Sequence, residues 1–550
     1  MSAYGPREWL PHERPLFPGS PSTPSHPLAL RWVFALLGTL VAITGSLGNA
    51  MVTTNQLQLQ GALGVTAAEI AWLPAAYVMT NVSANLILIK FRQQFGLRLF
   101  TEISLVLYAL VTFGHLFVHQ LGSAIAVRAA HGIVGAALTT LGIFYMIQAF
   151  PAQHRLRSLA VGIGLTQIGT PLARVISPNL LEFGEWRGLY LFELGLALLS
   201  LGGVMLLRLP PGDRYKVFEK LDLLSITLLS IGMALLCAVL SLGRIEWWLE
   251  APWIGWALAG AIVLVVSGIA IEHFRANPLI NTRWLGSGLM LRLGVAIILL
   301  RMALSEQSVG AVGFLQAMGL TNEQMRGLFA VVLLGCLLGI AVSAMTVKPV
   351  LTRLPALIAL TCVMTGALMD ASSNSLTRPA QLMVSQFLIG FGSTFFLAPA
   401  LIAGVGSVIA QPRNLISFFV MFNIAQNVGS LLGSAFLGTL QVIREKYHSS
   451  QIVEHLTLLD PQVATRIQSG AASYGQAVTD PALRNALGVR ALGATASREA
   501  NVLAYNDVYL AIAAIALMTM IWLTYIAVRS RLRARRESLL SAQATPAPAT

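Results

Sequence analysis

Five ionisable side chains stand inside long apolar stretches of this sequence: Arg128, Arg174, Glu193, Arg301 and Glu306. A charge at the centre of a lipid-spanning helix costs about 2.5–3.5 kcal/mol on insertion scales. Each is therefore expected to face a partner or a wet cavity. A carboxyl buried in apolar surroundings can hold and release a proton near neutral pH, which singles out Glu193 and Glu306 as proton carriers. Three guanidiniums facing one cavity would favour an anionic aromatic or amphipathic compound. Arg174 and Glu193 lie at similar depth on adjacent helices and are expected to be near neighbours, either as a structural pair or as a gate. Arg301 and Glu306 are separated by about 500° around a helix and are not expected to pair. Two alternatives stay open: Glu306 as an always-ionised lining of a vestibule, and Arg128 as an anchor to helix ends. His115 and His119 share a helical face at a spacing that can hold zinc. No further ligand cluster accompanies them, so no metal and no cofactor are expected.

The elements that must position these groups are about fourteen apolar stretches. Each approaches the roughly 20 residues that a bilayer core about 30 Å thick requires. Hydrophobic residues make up 56% of the 550 and charged residues 11%, against about 25% charged in soluble domains. The chain reads as an all-α polytopic membrane protein. The net charge of +13 does not indicate nucleic-acid binding, because the basic residues fall in alternate loops and in the tails. Lys90, Arg92 and Arg98 form one such group, and Arg208, Arg214, Lys216 and Lys220 another. The positive-inside rule then places both termini in the cytoplasm. Residues 1–31 are Pro-rich and read as a loose cytoplasmic tail. Six spans follow in 32–208, then a pair of spans and a linker in 209–284. A second set of six occupies 285–530 and includes a long polar outer loop, 442–502. Residues 531–550 form a basic, disordered tail. Cys237, Cys336 and Cys362 all lie in apolar stretches, as core residues do.

The ordered positions of particular residues resemble the major facilitator superfamily, and within it the fourteen-helix drug/proton antiporters (EmrB/QacA type). Trp72 and Tyr77 open the second span. Arg128, His131, Gly132 and Gly135 follow an Arg-x-x-Gln-Gly motif in the fourth, with His in place of Gln. Pro171 and Pro178 stand where the fifth-span antiporter motif has its prolines. Leu221-Asp222 opens the seventh span, and Asn277-Pro278-Leu279-Ile280 resembles the linker to the second half. The sequence departs from the pattern in three places. The first span carries no carboxylate, the loop after the second span lacks the motif's Asp, and Arg174 replaces a glycine. The resemblance implies two six-helix bundles with an inserted helix pair, set in a bacterial inner membrane. It further implies proton-coupled efflux, with a periplasmic adaptor and an outer-membrane channel as partners of the long loop.

No Gly-x-x-x-x-Gly-Lys phosphate loop occurs, so an ion gradient is the expected energy source. Uptake of a metabolite and a transport-inactive sensor or assembly role remain alternatives. An enzyme is not expected.

Overall fold

The computed structural model describes residues 9–10, 13–15, 19–212, 218–346, 353–409 and 414–544. Arg214 and Lys216, counted among the loop cations, lie outside the described residues, as do the loop cations Lys348 and Arg413. All elements among the described residues are helical. The first group comprises α1 (Leu28–Thr54), α2 (Trp72–Phe95), α3 (Leu97–Gly114), α4 (Leu121–Ala149), α5 (Arg155–Leu165) and α6 (Gly169–Leu206). Then come α7 (Lys220–Leu242) and α8 (Pro252–Phe274). The remainder are α9 (Gly288–Ala303), α10 (Arg326–Thr346), α11 (Arg353–Asp370), α12 (Met383–Phe395), α13 (Leu397–Ile409), α14 (Leu415–Glu454), α15 (Pro461–Ala472) and α16 (Pro481–Ala544).

Local signals set several of these ends. Before α2, Thr66 and Glu69 form a reciprocal capping box, with the Glu69 carboxylate accepting from Thr66 N at 2.8 Å. Pro252 starts α8 and Pro461 starts α15, positions where a missing N–H carries no penalty. After α9 the chain passes through a π-helical turn, Glu306–Ala311.

Among the described residues twelve helices are long and apolar enough to cross a membrane, against the fourteen spans expected. Two places depart from a simple row of long spans. The apolar part of α11, Leu354–Asp370, is shorter than the others. The 38-residue α6 is interrupted at Gly184 (φ −144°) and Glu185 (φ 50°). Gly188 there packs against the Leu180 carbonyl so closely that a Cβ would collide with it. Eight residues along a straight helix would lie about 12 Å away. The chain therefore doubles back at 184–185, and the arms 169–183 and 186–206 run antiparallel.

Helices α1–α6 pack on one another; α9–α12, α14 and α16 form a second group. Small residues permit the closest approaches. Gly132 on α4 sits against the Tyr77 carbonyl and the Thr80 hydroxyl of α2, where any side chain would collide. The pair α7–α8 bolts onto both groups. Lys90 of α2 bonds Asp222 of α7 at 2.5 Å, and Arg275 joins Asp222 (2.9 Å), Glu272 (2.8 Å) and Glu219 (2.9 Å). Asn281 in the following linker donates to Ser417 Oγ and Asn414 Oδ1 of the second group, both at 2.8 Å.

Two expectations are corrected here, for the C-terminal and N-terminal tails. The region 442–502, expected to be polar, is mostly helical. With 40 residues, α14 is about 60 Å long, twice the apolar thickness of a bilayer. Its far end is zipped to α16 by Arg444 and His448 on Asp507, at 2.6 and 2.7 Å. The basic segment after 530 continues as helix through Ala544. The N-terminal tail is not loose over its described part. Ser22 donates to the Pro211 carbonyl at 2.8 Å, His26 meets Gln148 Oε1 at 3.0 Å, and Gln148 Nε2 donates to Ser22 O at 2.9 Å. Glu13, Ser20, Ser22, Thr23 and His26 are all buried, so this segment forms a floor beneath the first helix group.

Candidate functional site

The fourth-span motif builds the first cluster. Arg128 and His131 lie three residues apart on α4, on one helical face. Arg128 is fully buried and reaches across to α1, where its Nη1 donates to Gly48 O (3.0 Å) and its Nη2 to Asn49 Oδ1 (2.7 Å). Its guanidinium also lies over the Tyr77 ring at 4.7 Å. The same Nη1 is 3.0 Å from His131 Nδ1. A guanidinium only donates, so His131 Nδ1 accepts and is unprotonated. The imidazole proton then sits on Nε2, which is 2.9 Å from Glu193 Oε1 on α6, off the axis of an ideal hydrogen bond. Tyr108 of α3 donates to the same Glu193 oxygen at 2.7 Å. Gly48 makes the room: a Cβ there would stand 2.5 Å from both Glu193 Oε1 and Tyr108 Oη. The carboxylate missing from the first span is thus supplied against it from the neighbouring arm of α6. His115 stacks on Tyr190 at 4.4 Å and meets the His131 ring edge-on at 5.0 Å, so it packs in this cluster and shares no metal site with His119.

Arg174 and Glu193 have different partners, contrary to expectation. Arg174 Nη1 donates to Asn322 Oδ1 at 2.6 Å, and the guanidinium lies over Phe329 at 4.9 Å. Asn322 in turn donates to Thr54 O (2.5 Å) and Asn55 Oδ1 (3.2 Å). Arg326 adds a bond to Asn179 Oδ1 at 2.9 Å. These contacts join the first helix group to the loop entering α10 and form a latch between the halves. They lie at the ends of α1 and α6 remote from the basic loops. Pro171, in the first turn of α6, and Pro178, in its first arm, are both buried around Arg174 in sequence.

A cavity of about 250 Å³ lies between the halves. Ser46 and Thr139 line it from within α1 and α4, and Arg301 from the middle of the span Gly288–Ala317. Arg92, Phe144, Leu159 and Phe419, each within about five residues of a helix end on the basic side, extend it toward that side. Its walls carry two guanidiniums (Arg92 and Arg301), six carboxamides (Asn81, Asn85, Gln167, Asn423, Gln426 and Asn427) and three phenyl rings (Phe144, Phe419 and Phe422). Among the described residues no Asp, Glu, Lys or His lines it. Arg92 stacks on Phe144 at 4.7 Å. Arg301 Nη1 donates to Gln167 Oε1 at 3.0 Å, bridging α9 to the segment between α5 and α6. Of the three guanidiniums expected to share one cavity only Arg301 does so, and Arg92 takes the second place. Gly135 of the fourth-span motif packs against the Tyr77 hydroxyl and is not among the cavity-lining residues.

Glu306 does not pair with Arg301. It is fully buried and accepts from Gln386 Nε2 at 2.9 Å, while the same nitrogen donates to Asp370 Oδ2 at 2.8 Å.

Sequence reasoning did not single out Arg92, Asp370, Gln386, Asn322 or the carboxamides. One signal was present. Asn81 and Asn85 on α2, and Asn423 and Asn427 on α14, each repeat a carboxamide at i, i+4 within an apolar span. In both pairs the second amide donates to the first backbone carbonyl at 2.9 Å. A polar stripe at helical spacing in lipid points inward.

The sequence profile of the Major Facilitator Superfamily matches residues 35–434. An uncharacterized MFS-type transporter of Bacillus subtilis, YhcA, is 20% identical over 479 residues, covering 83% of this chain and 84% of that protein. The major facilitator superfamily multidrug transporter mfsC of Aspergillus fumigatus is 27% identical over 244 residues, 44% of this chain and 46% of its own. Among solved structures, a point mutant of the nucleoside transporter NupG aligns with a TM-score of 0.51 at 12% identity, covering 91% of this chain and 99% of that one. The human organic anion transporter MFSD10 aligns with a TM-score of 0.52 at 13% identity, covering 89% and 100%. At such identities the structural likeness concerns the fold.

Proposed function

The chain belongs to the Major Facilitator Superfamily, and from that premise we propose that it exports small aromatic or amphipathic anions in exchange for protons. The observation that carries this reading is the cavity wall: two guanidiniums, a set of carboxamides and three phenyl rings, with no carboxylate among the described residues. Guanidiniums pair with carboxylates in bidentate geometry and stack on rings; carboxamides orient polar substituents; phenyl rings take the apolar body. The multidrug relative from Aspergillus fits a reading with apolar organic substrates.

The doubled-back α6 and the short α11 bring the proposed crossings to fourteen: two bundles of six and the inserted pair α7–α8, with basic loops and both termini in the cytoplasm of a bacterial inner membrane. On that topology the cavity extends toward the cytoplasm and the Arg174–Asn322 latch closes the outer side, which is the inward-facing stage of alternating access. The helical hairpin of 442–502 would then stand in the periplasm, where an adaptor leading to an outer-membrane channel would dock. Deleting about 445–500 and losing adaptor crosslinks would support that partner.

Coupling resides in the His131–Glu193 cluster. With His131 Nδ1 accepting from Arg128, a second imidazole proton would set N–H against N–H. Protonation therefore requires Arg128 to withdraw, and withdrawal releases its hold on Gly48 O and Asn49 of α1. One proton event thus loosens one helix pair.

The test uses everted vesicles energised to an acidic lumen. Adding a transported aromatic acid should discharge the proton gradient, and Arg301→Gln should abolish that response. Discharge by cations but not acids, or proton movement in the same direction as the substrate, would overturn the reading; the second result would favour metabolite uptake.

A further inference from the structure

We propose that Glu306 and Asp370 form a second, separate proton-binding site, a two-carboxyl pair that holds one proton in the second helix group. Three elements meet there. Glu306 opens the π-helical turn after α9, Asp370 ends α11, and Gln386 comes from α12. All three are buried, at 0%, 2% and 1% exposure. The single Gln386 amide nitrogen spends both of its hydrogens on them, one on Glu306 Oε1 and one on Asp370 Oδ2. The fork of an amide –NH2 places the two acceptors about 5 Å apart. Two ionised carboxylates so close, without water or a counter-cation, repel strongly in a medium of low polarisability. Among the described residues no Lys, Arg or His contacts either one. The titratable group facing the pair is the Tyr509 phenol of α16, with Tyr505 beside it; α14 packs on the same turn, where the Ser430 carbonyl accepts from Ser305.

Two unpartnered atoms point to the ligand. Glu306 Oε2 and the Tyr509 hydroxyl are buried and make no hydrogen bond. The Tyr509 ring edge and Glu306 Oε1 both lie about 3 Å from one point, the place a Gly310 Cβ would occupy. A proton on Glu306 leaves one negative charge on the pair instead of two. A metal cation fits less well. Gln386 offers its N–H2 and not its carbonyl, so a third oxygen ligand is missing. Interrupted π turns of this kind recur at working sites in helices. Neither carboxyl lines the central cavity. The pair is thus distinct from both the substrate wall and the His131–Glu193 cluster, and the site does not depend on the export reading.

Infrared difference spectra of the purified full-length protein, acid minus alkaline in H2O and D2O, test it. The expected result is a deuterium-sensitive carbonyl band of a protonated carboxylic acid that titrates with pH. It should be lost in Glu306→Gln and in Asp370→Asn and kept in Glu193→Gln. Both single variants lose the same band, because either one removes a member of the pair; if one fails to fold, the other and the wild-type titration decide. A wild type without a titrating band, or a band unchanged in both variants, would overturn the assignment. So would a carboxylate stretch that shifts with added Na+ or Li+ at fixed pH, which would mark a metal-cation site. Loss of substrate-driven proton flux would leave this band in place. An absent band would leave the cavity reading untouched.

Discussion

Gly48 offers a single-atom probe of the proposed coupling cluster. A Cβ added there would stand 2.5 Å from Glu193 Oε1, 2.5 Å from Tyr108 Oη and 2.7 Å from His131 Cε1. Ordinary contact needs about 3.5 Å, so each neighbour would have to retreat by about 1 Å. The 2.7 Å bond from Tyr108 to Glu193 has no such slack, and stretched by about that much it falls outside hydrogen-bonding range. Hydrogen bonds to a charged group contribute about 1.5–3 kcal/mol, and overpacking adds a further cost of similar order. Alanine returns about 1 kcal/mol of helix propensity over glycine. Gly48→Ala is therefore expected to destabilise the protein by about 2–5 kcal/mol. It should also abolish substrate-driven proton flux while leaving substrate binding at the cavity intact. Gly195→Ala is the matched control: it lies on α6 two residues from Glu193, with nothing within 4 Å of its added Cβ, and should be neutral or slightly stabilising. Thermal unfolding in detergent and the vesicle assay read both variants. If Gly48→Ala matches Gly195→Ala in melting temperature and in proton flux, the cluster neither packs nor couples as described.

Three further outcomes follow from the same geometry. Asn322→Ala removes the hydrogen bond of the buried Arg174 guanidinium and frees Thr54 O; a loss of about 1.5–3 kcal/mol should loosen the latch on the side remote from the basic loops, seen as faster thiol labelling of a cysteine placed at Asn55. Asp222→Asn leaves Lys90 and Arg275 competing for a neutral group at the junction of α2 with α7–α8, and should lower the melting temperature far more than Glu102→Gln, whose partner Arg98 is solvent-exposed. For the N-terminal floor the sign is set by His26: burial, reinforced by the nearby Arg31 charge and opposed by the Gln148 contact, holds its imidazole below the usual 6.5. The docked segment thus binds a proton less readily than the free one, so docking is complete at higher pH and weakens as pH falls below about 6.5. Limited proteolysis around residues 19–27 should accelerate on acidification and lose that pH dependence in His26→Gln.

Much of this protein was decided by composition alone. Apolar runs at bilayer length fixed the helices, because a backbone in lipid can satisfy its polar groups only within a helix or a closed barrel. The cost of burying charge made Arg128, Arg174, Glu193, Arg301 and Glu306 stand out before any contact was known, and all five are enclosed in the fold with polar or charged partners within 3.0 Å. What each one meets was not legible. Glu193 pairs with His131, 62 residues earlier, and Arg174 with Asn322, 148 residues later; such partners arise from which helices pack side by side and at what rotation, quantities that a single-helix pattern leaves free. Asp370 carried no signal of its own until α12 brought Gln386 beside it. Arg92 read as a loop cation until α4 offered the Phe144 ring. The break at 184–185 and the packing of the N-terminal segment belong to the same class. Lipid imposes the helices one at a time through hydrophobic burial and internal hydrogen bonding, whereas the choice of partner for a buried charge is made only when helices distant in the chain close around it.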